Sequence, residues 1–364
     1  MPVKGRVPWA IVEHTLAKHD IYRRYLERWF PILIGGSNAY PSATYAEGFA
    51  GPGVYADGEP GSPIIALEAY VKKVPTTRSL AKFLFIDDDP RCVSMLREQL
   101  TERFPERPRP LDRMWVDVVQ GKCGELLEQY LTERGCWGQP ILAVLDSWGN
   151  APVPHPLLRR LARNPATEVI VTFGTQHFVR FVEQLGADAD GVFGGDQRWR
   201  QVRGLPDGEA KRRHLLDCYR RSLHDAGFQH LLDFELIDRR GEPLYLVFGT
   251  NHPRGVEKMK DTLWEVDPVQ GVGFRDPRDE QHETLFDVNE PLLAPLARLL
   301  VPVIEAGGED GVAVQDLKDF ALRETVYRMQ HVSPALQPLL EKGVIRSDPV
   351  NRIRTRGRVW AKAG

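Results

Sequence analysis

The residues best suited to chemistry form a glycine-rich segment that follows a strand-like run. The run Ala43–Phe49 leads directly into Ala50-Gly51-Pro52-Gly53. Small residues at the end of a strand let the backbone approach a nucleotide or an amino-acid group, with N–H groups free to bind it. The segment therefore predicts a cofactor loop, with a tight turn between strand and helix as the alternative. The residues expected to bind the cofactor here are Glu47, Phe49, Ala50, Gly51 and Gly53.

Acidic residues end two later strand-like runs. Asp87 closes the run that begins at Lys82, and Asp146 closes the run that begins at Ile141. The carboxyl ends of parallel strands meet at one edge of a sheet, where an acid can bind the hydroxyl groups of a ribose. Together with the glycine-rich segment, Asp87 predicts a nucleoside-type cofactor. The alternative for Asp87 is the cap of the helix that follows at Pro90.

A second group of residues is expected to face the substrate. Trp148, just after Asp146, could stack on a planar substrate such as a base, or it could be a core tryptophan. His14 and Lys18 lie four residues apart on one helix face and could cover the crevice as cationic or proton-transferring groups, or form a solvated edge. The candidate catalytic residues are Asp146, Trp148, Lys18 and His14.

The surrounding pattern predicts the elements that position these residues. Strand-like and helix-like runs alternate from Lys82 to Phe173, and the strands are continuously apolar, which is typical of a parallel sheet buried on both faces. The runs Leu232–Ile237 and Leu244–Phe248 predict an antiparallel hairpin at the end of that sheet. Such an ending is the mark of the methyltransferase version of the Rossmann fold, which binds S-adenosylmethionine. Residues 176–228 are expected to form a helical insertion.

The chain divides into three predicted regions. Residues 1–40 form a helical lid, in which an amphipathic helix from Trp9 is expected to end at Pro31. Residues 41–288 form the α/β domain. Residues 289–364 read as three short helices followed by a two-stranded ribbon, which is the order of a winged helix-turn-helix.

The last 24 residues are basic, although the whole chain has a net charge of −2. From Glu341 onward the chain carries seven basic residues and two acidic ones. Four arginines at alternate positions would lie on one face of a strand and could contact nucleic-acid phosphates, while protein docking is the alternative. The candidate nucleic-acid-binding residues are Arg352, Arg354, Arg356 and Arg358.

Composition narrows the class of protein. The chain is 42% hydrophobic and 27% charged, which excludes a disordered chain or a disulfide scaffold. Its four cysteines are scattered without metal-ligand spacing, so no protein-bound metal is expected. No apolar run is long enough to span a bilayer and no leader is visible, which predicts a cytoplasmic protein without a membrane partner.

Four segments resemble one known family. They are His14–His19, the helix end Trp29-Phe30-Pro31, Gly48–Tyr55 and Gly58–Pro63, which look like the motifs of the three-Cys-motif partner proteins, and the resemblance covers roughly residues 10–260. The resemblance implies a class I S-adenosylmethionine-dependent methyltransferase-like Rossmann fold. It also implies a partner, a radical-SAM-like protein that carries the three cysteines.

Two departures from methyltransferase patterns favour an alternative function. Lys122 follows the third strand, where such folds often place an acid that accepts a hydrogen bond from adenine. The sequence after Asp146 lacks the two prolines that are typical of amino-directed enzymes. The alternative is therefore a non-catalytic module that binds nucleic acid or protein.

Overall fold

The computed structural model describes residues 7–74, 77–105, 113–147, 149–150, 153–275, 290–350 and 352–362. Internal contacts divide this part of the chain into two units. The first holds residues up to His252 and the short stretch from Phe274. The second holds residues 253–273 and the described residues from 290 onward.

The first unit alternates strands and helices. Its strands are β1 (Ser42–Glu47), β2 (Leu80–Asp87), β3 (Met114–Gln120), β4 (Ile141–Leu145), β5 (Thr167–Phe173), β6 (His230–Ile237) and β7 (Pro243–Thr250), and β8 (Gly273–Arg275) completes the sheet. Its helices are α1 (Glu13–Ile34), α2 (Ser62–Lys73), α3 (Pro90–Arg103), α4 (Cys123–Glu133), α5 (His155–Arg163), α6 (Thr175–Phe181), α7 (Ala187–Val192) and α8 (Gly208–Ala226). The last three helices confirm the predicted helical insertion.

The strands form one sheet in the order β3-β2-β1-β4-β5-β7-β6-β8. Strands β1 to β5 pair in parallel, while β7 is antiparallel to both β5 and β6. This order confirms the predicted methyltransferase-like Rossmann sheet with its terminal antiparallel hairpin. The direction of winding reverses between β1 and β4, which is where ligands bind in open α/β sheets.

Burial on both faces explains why these strands read as continuous apolar runs. Every residue of β1, β4 and β5 is buried. Successive side chains point to opposite faces of a strand. Tyr45 accordingly packs with Phe83 in an aromatic cluster that includes Phe30 of α1 and Tyr70 of α2, while Ala46 lies in the core under α4 and α5.

Helix α1 does not end at Pro31, as the sequence predicted. It continues to Ile34, and the N–H of Gly35 still donates to the Pro31 carbonyl at 3.1 Å. Proline removes only its own N–H from a helix, and tertiary packing can hold the helical path around the missing bond. The apolar face of α1 supplies that packing, with Phe30 and Ile34 fully buried.

The second unit begins with α9 (Pro253–Val266), earlier than the predicted boundary at residue 289. Its other helices are α10 (Ala294–Ala306), α11 (Val314–Glu324) and α12 (Val332–Glu341). Its strands are β9 (Val312–Ala313), β10 (Ile345–Asp348) and β11 (Arg358–Ala361). Strand β11 lies between β9 and β10 and is antiparallel to both. The side-chain nitrogen of the buried Lys260 in α9 lies 2.5–3.1 Å from four carbonyl oxygens in the last turn of α11 and just after it, and its N–H groups are shared among them. That bonding groups α9 with the C-terminal helices. The winged-helix interpretation of this unit stays a prediction.

All four cysteines are buried and free. Burial raises the pKa of the Cys92 and Cys123 thiols to about 12. None of the described helices is long and apolar enough to cross a membrane.

Candidate active-site crevice

The candidate site lies where the winding of the sheet reverses. Glu47 is the last residue of β1, and Asp146 directly follows the neighbouring strand β4. Asp87 ends β2 on the other side of β1. The structure therefore brings the three acids predicted from strand ends to one edge of the sheet.

Asp146 is clamped between two donors. One carboxylate oxygen accepts a hydrogen bond from the Lys18 ammonium, and the other accepts one from the Thr172 hydroxyl at 2.8 Å. The side chains of Lys18 and Asp146 are only 9% and 17% exposed. Burial alone would raise the pKa of Asp146, but the charge and hydrogen bond of Lys18, with the bond from Thr172, hold it below its usual value. Asp146 is therefore an anion, and Lys18 balances its charge.

His19, in the second turn of α1, has an uncharged ring. Burial, with the adjacent Lys18 charge, lowers the pKa of His19 to about 3. Its ring lies 5.5 Å from that of Tyr55, in the loop after β1. His14 is half-buried one turn before Lys18. The predicted cationic character of this helix face thus comes from Lys18, with the ring of His19 uncharged beside it.

Glu47 is held in a protonated state near neutral pH. It is 1% exposed and accepts hydrogen bonds of 2.7 Å from the Tyr45 and Ser62 hydroxyls. Burial raises the pKa of Glu47 to about 8, although the two hydroxyl donors oppose the shift. The sheet edge near pH 7 therefore carries the charged pair of Lys18 and Asp146 beside an uncharged Glu47.

The glycine-rich loop is closed by hydrogen bonds inside the protein. The N–H of Ala50 donates to the Ile86 carbonyl at 2.9 Å, and that of Gly51 donates to the Asp87 carboxylate at 2.7 Å. Gly51 has a φ of 65°, a left-handed conformation that favours glycine. The expectation that these N–H groups are free was wrong for Ala50 and Gly51, because the neighbouring strand already pairs with them.

Asp87 organises the loop rather than capping α3. Its second oxygen accepts the N–H of Asp89 at 3.0 Å, and Asp89 is the residue that caps α3 by accepting from the Arg91 N–H. Burial raises the pKa of Asp87, and the two backbone donors oppose that shift. Each carboxylate oxygen can accept a second hydrogen bond, so this side chain can still bind a ligand hydroxyl.

The remaining loop residues are fixed by packing. Phe49 is half-buried against the main core, and Gly53 has a φ of 74° and lies against Leu96. A side chain at position 53 would collide with that leucine. Gly53 is therefore required by the turn itself, which is the alternative that the sequence left open.

Three buried hydroxyl groups near this edge were not predicted. Tyr22, Ser147 and Thr175 each bury a hydroxyl oxygen for which the described residues provide no hydrogen-bond partner. Burial raises the pKa of Tyr22, and the nearby Asp146 carboxylate raises it further. Buried polar groups normally have partners, so these hydroxyls mark places for a bound ligand or water. Ser147 and Thr175 lie next to strand ends, which is the signal that could have identified them.

The remaining predicted residues are not part of this edge as the structure describes it. Trp148 lies outside the described residues, so its role stays a prediction. Lys122 is exposed at the start of α4, with its ammonium 4.0 Å from the Glu125 carboxylate. Of the basic residues, Arg352, Arg354 and Arg356 lie before β11, so the expectation that all four arginines share a strand face was wrong. Strand β11 begins only at Arg358.

No protein-family model and no curated protein matches this chain. Similar solved structures include a protein from Legionella pneumophila str. Philadelphia 1 (12% identity, 70% of this chain and 92% of that chain, TM-score 0.39). Another is an O-methyltransferase from Bacillus cereus in complex with SAH (10% identity, 67% of this chain and 84% of that chain, TM-score 0.34). A third is the DszA carbon methyltransferase (13% identity, 57% of this chain and 47% of that chain, TM-score 0.32). The match therefore spans less than half of that chain. Because these scores are low, the fold assignment rests on the strand order.

Proposed function

We propose that the first unit binds S-adenosylmethionine at the carboxyl edge of its sheet and transfers the methyl group. The observation that carries the proposal is the position of Asp87, which ends β2 beside the loop that leaves β1 in a methyltransferase-like strand order. Ligands of such sheets bind outside the strand ends at the point where winding reverses.

The residues at this edge fit that cofactor. Asp87 keeps free lone pairs for ribose hydroxyls, and a side chain built at Gly51 would meet only the Trp9 ring, at 3.8 Å, so the space beside the loop is open. The unpartnered Ser147 hydroxyl, directly after Asp146, offers a further polar contact.

S-adenosylmethionine supplies an electrophilic methyl group, and the chain supplies position and charge. Methyl transfer depends mainly on holding donor and acceptor in line. Lys18 and Thr172 fix the Asp146 carboxylate, and the Lys18 ammonium retains donors beyond its bond to Asp146. These groups would orient the acceptor, with Trp148 as the predicted stacking surface. His14 would border the same side, one turn away.

Calorimetric titration with S-adenosylmethionine tests the cofactor directly. Asp87→Asn should weaken binding by about 10- to 100-fold, because a hydrogen bond to a charged group contributes about 1.5–3 kcal/mol. The control is Asp88→Asn, which changes the exposed neighbouring acid and should leave affinity unchanged. No binding heat at millimolar ligand for the unaltered chain would refute the proposal, as would equal losses in both variants.

The resemblance to three-Cys-motif partner proteins adds a finer proposal, that this unit acts together with a radical-SAM-like protein. Co-purification with a co-expressed radical-SAM-like protein that carries the three cysteines would support it. A chain that elutes alone under those conditions would contradict it.

Binding without catalysis is the second candidate. The observation that favours it is the Lys18 ammonium, which already neutralises Asp146 where an acceptor would be expected. Retained S-adenosylmethionine binding, with no SAH formed when candidate acceptors and the partner are added, would select this function over methyl transfer.

A further inference from the structure

The loop between β10 and β11 concentrates exposed positive charge. We call the described residues 349–350 and 352–357 the basic loop. Arg352, Arg354 and Arg356 are all exposed, and the described residues include no carboxylate paired with any of their guanidinium groups. The loop also exposes Val350, at 77% of its surface. Three arginines within five residues concentrate positive charge where a polyanion can reach it.

Hydrogen bonds hold the basic loop in one conformation. The N–H of Arg352 donates to the Pro349 carbonyl, and the N–H of Gly357 donates to the Arg354 carbonyl at 2.9 Å. Lys318 of α11 donates to the Thr355 hydroxyl at 2.8 Å, which brings a fourth cation to the loop. A backbone that is already ordered loses less conformational freedom when its side chains bind a ligand.

Three other arginines of the second unit contact groups within the protein. Arg358 donates to the Asp310 and Gly311 carbonyls at 2.9 Å. Arg346 lies over the Trp360 ring at 5.3 Å, and Arg328 hydrogen-bonds to His331. Within the described residues, no comparable contact engages the guanidinium groups of Arg352, Arg354 and Arg356.

Helix α12 exposes few of the side chains that read bases. Specific recognition in a major groove relies on arginine, lysine, asparagine or glutamine reaching base edges. The exposed residues of α12 are Pro334, Gln337, Pro338 and Glu341, which offer one amide and no cation. Phosphate contacts position a protein on nucleic acid but carry no sequence information.

We propose that the basic loop, with Lys318, binds the phosphodiester backbone of nucleic acid without reading its sequence. Arg352, Arg354 and Arg356 would each contact a phosphate, and guanidinium groups suit phosphates because they donate paired hydrogen bonds. Arg358 is held by two hydrogen bonds to the Asp310 and Gly311 carbonyls, so it is not counted among the phosphate contacts. This site is independent of the methyl-transfer proposal.

Salt dependence gives the quantitative expectation. Three phosphate contacts on duplex DNA predict a slope of about −2.7 for log K against log salt. Affinity should then fall roughly 40-fold between about 50 and 200 mM salt. Single strands should show a slope of about −2.1.

Fluorescence anisotropy with labelled duplex DNA, its single strand and RNA of the same sequence tests the proposal and distinguishes the sources of phosphate. The test variant is Arg354→Glu/Arg356→Glu. The control is Arg298→Glu/Arg323→Glu, which makes the same change in net charge at exposed arginines of α10 and α11. The loop variant should lose at least about tenfold in affinity and flatten the salt slope by about 2, while the control keeps the slope.

Equal losses in the two variants would show a general charge effect and overturn the proposal. So would binding of none of the three probes, an outcome that would leave an acidic protein as the partner. A strong preference for one sequence over a scrambled one would also overturn it. Unchanged thermal unfolding of both variants ensures that any loss reflects binding.

Discussion

The most consequential residue pair is Lys18 with Asp146. Both side chains are largely buried, and the Thr172 hydroxyl completes the surroundings of the carboxylate. Removing two charges from water is costly, and their attraction offsets that cost only while both partners remain. Deleting one partner therefore harms the fold more than deleting both. The pair is better explained by its place at the carboxyl edge of the sheet, where we propose that a ligand binds, than by a need for stability.

Lys18→Met should lower the free energy of unfolding by about 3–5 kcal/mol, because it leaves a buried carboxylate without its counter-charge. The double variant Lys18→Met/Asp146→Asn should be more stable than Lys18→Met alone, since it removes the uncompensated charge as well. Chemical denaturation of the two variants and the parent chain measures this difference. A double variant less stable than the single one would show that the pair contributes net stability.

At the scale of elements, α1 is hydrogen-bonded to the sheet near the carboxyl ends of its strands and again near their amino ends. Its first half is attached to the carboxyl edge through Lys18. Two turns later the Tyr25 hydroxyl donates to Glu168 at 2.7 Å, near the amino end of β5, where Thr250 also donates. A helix fixed at two buried carboxylates is a structural part of the α/β unit. The sequence had suggested a lid.

Glu168 gives α1 a pH-dependent attachment. Burial raises the pKa of Glu168 to about 7, although hydrogen bonds oppose the shift. Its contribution to stability is therefore complete below the unfolded pKa near 4.5 and is lost as pH rises through about 7. Glu168→Gln cannot ionise, so its stability should fall less over this window, by an amount on the order of 3 kcal/mol. Parallel pH profiles for the two proteins would contradict this assignment.

The second unit depends on one buried lysine, Lys260, whose pKa burial lowers to about 7. The Lys260 ammonium satisfies carbonyls of Ala321, Leu322, Thr325 and Tyr327 at the end of α11. Lys260→Met should reduce hydrogen-exchange protection in α9 and α11 by about 1–3 kcal/mol, because carbonyls left without donors are costly. The control is Lys258→Met, which changes a partly exposed lysine of the same helix. Equal effects of the two variants would contradict the role of Lys260.

At the scale of the whole molecule, the sequence predicted the sheet well because its signals are local. Apolar runs with a terminal acid give a strand and its carboxyl end, and parallel strands bring those ends together. Glu47, Asp87 and Asp146 were found in this way. The sequence placed Lys18 on a helix face but could not pair it with Asp146, which lies 128 residues away.

Features that depend on tertiary packing were missed or wrong. The bond from Thr172 to Asp146 and the buried Tyr22 hydroxyl arise from the way α1 packs on the sheet. Alternation of arginines suggested a long strand, yet β11 begins at Arg358, where its register with β10 and β9 starts. The sequence placed α9 in the α/β domain, whereas it belongs to the second unit. Its contact through Lys260 is long-range, so no local pattern reveals it.

The four buried cysteines make the chain convenient for site-specific labelling. Because thiolates are the reactive form and burial raises the pKa of these thiols, a maleimide dye should react slowly with the native protein. A single cysteine introduced at the exposed Val350 would then take up most of the dye, placing a fluorophore within the basic loop. The native thiols would in turn report unfolding, as each becomes reactive only when its surroundings open.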